Sequence, residues 1–335
     1  MCFIDILKGH FVMPVYQIQI KNKNVENRMM SVTLLQALLS VLIEGSKGAL
    51  RLRTEGRSMM RGAPPQWIKT ATQFSIAFQE NQLEVESLPL LEVVPELFEK
   101  SGLFPELNPE WTSLDYFQES LTSAILTLKL SQHHKMGNSR MVDSIYDSPL
   151  LYAFQRFRYV FNQGAALIHF VNGKGLQITP ESVTAFKELE ANLPPPTKVK
   201  VAGKLQAIRM SDRTFRLSTA QHQQVIKGIV KPLIQKAAQA LLSKDVLVSG
   251  LAYFTSNGKI LRIEADHVLM AGEDELASYG KLPSFLSVLE PKKPDPKPLI
   301  KEVPQEPQII QTQVKTTPQT SGNNDEMVQW RERFS

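Results

Sequence analysis

The stretch "VKVAGKLQAIRMSDRTFRLS" (residues 199–218) decides how the second half of the chain folds. Val199, Val201, Gly203, Leu205 and Ala207 alternate with Lys198, Lys200, Lys204 and Gln206, the period of a strand with one covered face. Ser211-Asp212-Arg213 makes a turn, and "TFRLS" (214–218) begins a second strand. "QQVIKGIV" (223–230) reads as a third. "KPLIQKAAQALLS" (231–243) changes to helical spacing, with Ile234, Ala237, Ala238, Leu241 and Leu242 on one face. "DVLVSGLAYF" (245–254) and "KILRIEADHV" (259–268) follow as strands four and five. Between them, Asn257-Gly258 closes a turn of the strongest hairpin kind. The order β-β-β-α-β-β predicts a small five-stranded OB-like barrel, with an SH3-like barrel as the alternative. Gly203, Gly228 and Gly250 fall where its strands must coil or bulge.

Upstream, strand and helix signals alternate. "VYQIQIK" (15–21) has period two, and "SVTLLQALLSVLIEG" (31–45) is helical and closed by Gly45. "ALRLRTEG" (49–56) alternates like a strand and leads into the loop "RSMMRGAPPQW". "FSIAFQENQLEVESL" (74–88) predicts a hairpin around Glu80-Asn81. Helices are expected at 89–101, 112–132 and 149–164. A hairpin at 166–179, turning at Asn172-Gly173, precedes a helix that starts at Thr179-Pro180. The domain plan is a candidate extra leader at 1–13 (Met13 competes with Met1 as the start), then an α+β domain at 14–192. "LPPPTK" (193–198) separates that domain from the barrel at 197–285. A Pro/Gln/Thr-rich linker at 286–326, of disordered composition, and a short end segment at 327–335 complete it.

Charge is unevenly spread. The chain's net +5 divides into −1 for residues 1–196, +8 for 197–268 and −2 for the rest. A basic segment points to a polyanionic partner, most simply nucleic acid. In an OB-like barrel the ligand meets strands two and three and the loops after strands one and four, here 210–214 and 255–259. That places Arg209, Arg213, Arg216, Lys227 and Lys259 as phosphate contacts, with Phe215 and Tyr253 as rings for stacking bases. Phe215 alternates with Leu217, so a place in the core competes with stacking. A second expectation is a protein–protein adaptor, a regulator of a partner toxin or enzyme, docking through the barrel and through Met327, Trp330 and Phe334 in "MVQWRERFS".

Catalytic and metal signatures are weak. His133-His134 are adjacent and project apart, with no carboxylate or cysteine at ligand spacing, so no metal site is expected. Arg57, Ser58 and Arg61 in "EGRSMMRG" (55–62) could hold an anion, but the loop lacks P-loop spacing. "NGKG" (172–175) is a turn rather than a dinucleotide fingerprint. No nucleophile elbow or paired-carboxylate motif occurs, so neither an enzyme nor a cofactor is expected. The one cysteine, Cys2, excludes an internal disulfide framework and favours a cytoplasmic setting. No apolar run reaches 18 residues, so no membrane span is expected.

Four stretches carry a resemblance: "ALRLRTEGRSMMRGAPPQWI", "VPELF", "KVAGKLQAIRMSDRTFRL" and "VLVSGLAYFTSNGKILRIEADHV". In these the chain resembles a group of bacterial two-domain proteins across roughly residues 14 to 285. The resemblance implies a cytoplasmic protein with an N-terminal α+β domain and a C-terminal barrel. It implies no activity and transfers no residue roles.

Overall fold

A computed structural model describes residues 14–22, 30–79, 82–99, 107–133, 145–171 and 175–285. The leader, the turns at Glu80-Asn81 and Asn172-Gly173, His134, and the tail with Met327, Trp330 and Phe334 lie outside the described residues. The first part runs β1 (Val15–Asn22), α1 (Val32–Glu55), α2 (Gln66–Ala71), β2 (Ser75–Gln79), β3 (Gln82–Glu86), α3 (Leu90–Val93) and α4 (Glu96–Glu99). It continues with α5 (Ser113–His133), α6 (Ser148–Gln155), α7 (Phe157–Asn162), β4 (Ala165–Phe170), β5 (Leu176–Ile178) and α8 (Pro180–Ala191). These strands form an antiparallel sheet in the order β2-β3-β1-β4-β5.

Alternation along β1 and β3 turns Tyr16, Ile18, Leu83 and Val85 into a core shared with α1, α5, α6 and α8. Rings fill its centre: Phe154 lies 5.7 Å from Phe117 and 5.8 Å from Phe186, centroid to centroid. Such offset pairs each add about 1 kcal/mol beyond the area they bury.

Four expectations are overturned here. The stretch 49–56 is not a strand; α1 continues unbroken through it to Glu55. Gly45 does not end the helix but admits α5, since a Cβ there would sit 2.4 Å from the Phe117 ring. The true stop is Gly56, at φ +73°, whose N–H returns to the Leu52 carbonyl at 3.0 Å. The single helix expected at 149–164 is two, α6 and α7, breaking at Arg156. The helix expected at 89–101 is two short turns, α3 and α4.

The second part holds β6 (Thr197–Arg209), β7 (Thr214–Thr219), β8 (Val225–Val230), a 3-10 turn (Pro232–Ile234) running into α9 (Gln235–Gln239), β9 (Asp245–Phe254), β10 (Ile260–Met270) and α10 (Glu273–Tyr279). The five strands close a barrel in the order β10-β8-β7-β6-β9, and β10 pairs with β9. β8 and β10 pair in parallel, whereas the other barrel pairs are antiparallel. β6 pairs with β9 along its first half and with β7 along its second, and its register shifts between Leu205 and Ala207. That bulge lets one long strand bend around the barrel. Its core takes Val199, Val201 and Leu205 from the alternating face of β6, joined by Phe215 and Leu217 of β7, whereas Ala207, expected on the same face, lies past the bulge and is exposed. The helix expected at 231–243 shrinks to α9, because Pro232 starts a 3-10 turn and Leu233 points into solvent.

Candidate functional site

The last turn of α1 ends against the barrel. Carbonyls at a helix C-terminus lack intrahelical partners and sit at the negative end of the helix dipole. Two barrel cations supply what is missing. The Lys227 ammonium, from β8, donates to the Arg53 carbonyl, and Arg262 Nη1, from β10, donates to the Gly56 carbonyl at 3.2 Å. Part of the segment's positive charge is therefore directed at the chain's own helix.

Arg262 is the hub of this contact and is only 7% exposed. Its guanidinium carbon stacks 3.6 Å from the centroid of the Tyr253 ring. It also reaches Glu264 at 3.4 Å and Asp147 at 3.8 Å. Asp147 caps α6 by accepting from the Leu150 N–H at 3.1 Å, from the Ser58 N–H at 2.9 Å, and from the Ser58 hydroxyl. The Tyr146 hydroxyl donates to Ser256 Oγ at 3.0 Å, a second strap onto the barrel. Burial pushes the Tyr253 phenol above its ordinary pKa, and the Glu264 carboxylate adds to the rise. Burial likewise raises the Glu55 carboxyl, against the pull of Arg57 at 3.1 Å and of Arg51.

The seven barrel residues read from the sequence divide. Lys227 and Lys259 come together at one cavity of about 290 Å³ between α1 and the barrel. Arg53, Thr255 and Asn257 line it with them, and no carboxylate among the described residues does. Arg53 Nη2 is tied to Glu119 at 2.5 Å, while Arg53 Nε and Asn257 Nδ2 are sealed from solvent with no hydrogen-bond partner among the described residues. Arg216 stands directly opposite Lys227 in the β7–β8 ladder and is half-buried. Like charges at that spacing repel, and Lys227 turns to the Arg53 carbonyl. Arg209 is paired with Asp212 across the first turn, where Arg213 holds φ +61°.

Phe215 does not reach a ligand surface. It is 1% exposed, and its ring fills the space that a Cβ on Gly228 would need. Tyr253 lies under the Arg262 guanidinium rather than open for a base.

In the loop after α1, Arg57 bonds Glu55, Ser58 bonds Asp147, and Arg61 is exposed. His133 ends α5, and no cluster of three metal-ligating side chains occurs among the described residues. None of their helices is long and apolar enough to cross a membrane.

No protein-family model and no curated protein matches this chain. The functional reading rests on its own geometry. Arg53 was missed by sequence reasoning, while Thr255 and Asn257 fall in the 255–259 loop expected at the ligand surface without being singled out. Arg53 was hidden by the strand-like alternation of "ALRLRTEG". For Asn257 the turn signal masked a second role at the cavity wall.

Proposed function

We propose that this chain is a non-enzymatic binding protein that takes nucleic acid against the junction of α1 and the barrel, and that the barrel is of the OB type. The helix between the third and fourth barrel strands and the parallel pairing of the third with the fifth support the OB assignment. The observation that carries the functional reading is the junction cavity. Arg53, Lys227 and Lys259 line it together with no carboxylate among the described residues, beside the strand and hairpin where such barrels meet their ligands.

The chemistry follows from the residues. Cations at the cavity neutralise backbone phosphates and release condensed counterions, which favours binding whatever the base sequence. Because Phe215 is in the core and Tyr253 is covered by Arg262, contact is by charge rather than by base stacking. The exposed Lys198, Lys200, Lys204, Lys236 and Lys244 extend the positive field around the barrel.

The test is fluorescence anisotropy of a labelled oligothymidylate with the full chain across a salt series. Three phosphate contacts on a single strand predict a slope of log K against log salt of about −2. Lys259→Glu, an exposed change, weakens binding and flattens the slope by roughly one contact, about 0.7. Absence of binding at about 50 mM salt, within the range where such contacts are strong, refutes the proposal.

A further inference from the structure

Arg51 and Arg53 lie two residues apart on α1, so they leave the helix on nearly opposite faces. Arg53 faces the junction cavity. Arg51 lines a different cavity, of about 310 Å³, between α1, the loop after it and α6. Arg51 is 5% exposed, and its Nε and Nη2 are sealed from solvent with no hydrogen-bond partner among the described residues. Its remaining bond, from Nη1 to the Met60 carbonyl, is 3.5 Å long. The carboxylate within electrostatic reach, Glu55, is already engaged by Arg57 at 3.1 Å. A buried guanidinium left this poorly matched is a cost to the fold unless something binds it.

The rest of the lining indicates what that is. Lys47 and Arg156 add two cations, against one carboxylate among the described residues of the lining, Glu44, which pairs with Lys47 at 2.9 Å. Arg156 Nη2 donates to Ser40 Oγ at 2.9 Å. Ser58 gives a polar wall, with its hydroxyl committed to Asp147. Met59, Met60, Pro64, Pro149, Leu150 and Tyr152 make the remaining walls apolar, and Met59 is 67% exposed at the rim. The cations exceed the acids by two charges, which matches a phosphate monoester dianion better than a carboxylate. With Nε and Nη2 sealed behind the wall, the Arg51 guanidinium adds positive charge to the cavity rather than a two-point fork.

We propose that the cavity lined by Arg51, Lys47 and Arg156 is a second site, separate from the barrel junction, for a small phosphate monoester with an apolar or aromatic body. Lys47 and Arg156 meet the phosphate, Arg51 supplies buried positive charge behind them, and the methionine, proline and tyrosine walls hold the body. The position of Arg51 is then kept for the ligand at the expense of the free protein.

The test is thermal unfolding of the full chain with phenyl phosphate, inorganic phosphate or benzoate. Phenyl phosphate gives a saturable rise in Tm, at lower concentration than either fragment. Arg51→Met keeps the volume, removes the charge, and leaves the ligand-free Tm equal to or above that of the parent while the phenyl phosphate affinity falls at least tenfold. Lys47→Gln weakens the response several-fold, and Lys69→Gln, exposed on α2 and outside both cavities, leaves it unchanged. Benzoate binding as well as phenyl phosphate, or no saturable response, overturns the proposal. So does an Arg51→Met chain with a lowered ligand-free Tm, which marks Arg51 as structural. If Arg51→Met does not fold, an unchanged affinity in Lys47→Gln overturns it.

Discussion

Replacing Arg262 with Met tests how the barrel is attached to α1. The side chain is 7% exposed and touches four groups: the Gly56 carbonyl at 3.2 Å, Asp147 at 3.8 Å, Glu264 at 3.4 Å and the Tyr253 ring at 3.6 Å. A hydrogen bond from a charged donor contributes about 1.5–3 kcal/mol, and a desolvated cation–π contact about 2 kcal/mol. Removing one partner of a buried ion pair typically costs about 3–5 kcal/mol. Here Asp147 keeps three other donors, from Ser58 and Leu150, which reduces the penalty on its carboxylate. Methionine also preserves much of the aliphatic packing. The expected loss is therefore about 3 kcal/mol, at the lower end of the buried-pair range. Urea unfolding followed by fluorescence reads it as a lower midpoint at unchanged slope. Glu264→Gln is the control, because that carboxylate is 37% exposed and its pairing is worth under about 1 kcal/mol. A loss below about 1 kcal/mol for Arg262→Met refutes the argument that this residue ties the two parts together.

Phe215→Ala removes a fully buried ring and costs about 3–5 kcal/mol in the same assay; a near-neutral result contradicts its place in the core. Gly56→Ala forces a Cβ into a left-handed backbone 3.2 Å from Arg262 Cβ, lowering stability by about 1–2 kcal/mol, and no change in the urea midpoint is the contrary result. Glu55→Gln gives a pH signature. Burial raises the Glu55 carboxyl, so the folded chain holds that proton more tightly than the unfolded one, and stability falls as pH rises through the folded pKa. Gln stays neutral, so the variant melts above the parent at pH 7 and the difference closes below about pH 4, the ordinary carboxyl range. A variant melting below the parent at pH 7 contradicts this.

The barrel was legible because each strand has one covered face, so its apolar residues alternate, and because Asn257-Gly258 marks a hairpin locally. The end of α1 was not legible, for a physical reason. Amphipathic periodicity reports one wet face, and between Ala49 and Glu55 this helix is covered on nearly all sides, with only Arg53 half-open. Leu50 and Leu52 are both buried, which leaves an alternation that imitates a strand. That one misreading concealed Arg51 and Arg53, the residues that bring charge to both cavities. The basic character of 197–268 was visible by counting, but its distribution was not. Only the fold shows that Lys227 and Arg262 cap a helix while Lys198, Lys200 and Lys204 face solvent. Phe215 went to the core because Gly228 leaves room for its ring, a contact between neighbouring strands that neither local pattern reveals.

Under the proposed function, nucleic acid meets this chain where α1 abuts the barrel. Photo-crosslinking of a bromodeoxyuridine oligonucleotide to the full chain, followed by peptide mapping, addresses it directly. The account predicts adducts in the peptides that carry Leu52–Gly56, Val225–Lys227 and Thr255–Leu261, the walls of the junction cavity, and their loss in Lys259→Glu. Adducts confined to the Lys198–Lys204 face, or none at low salt, would contradict it.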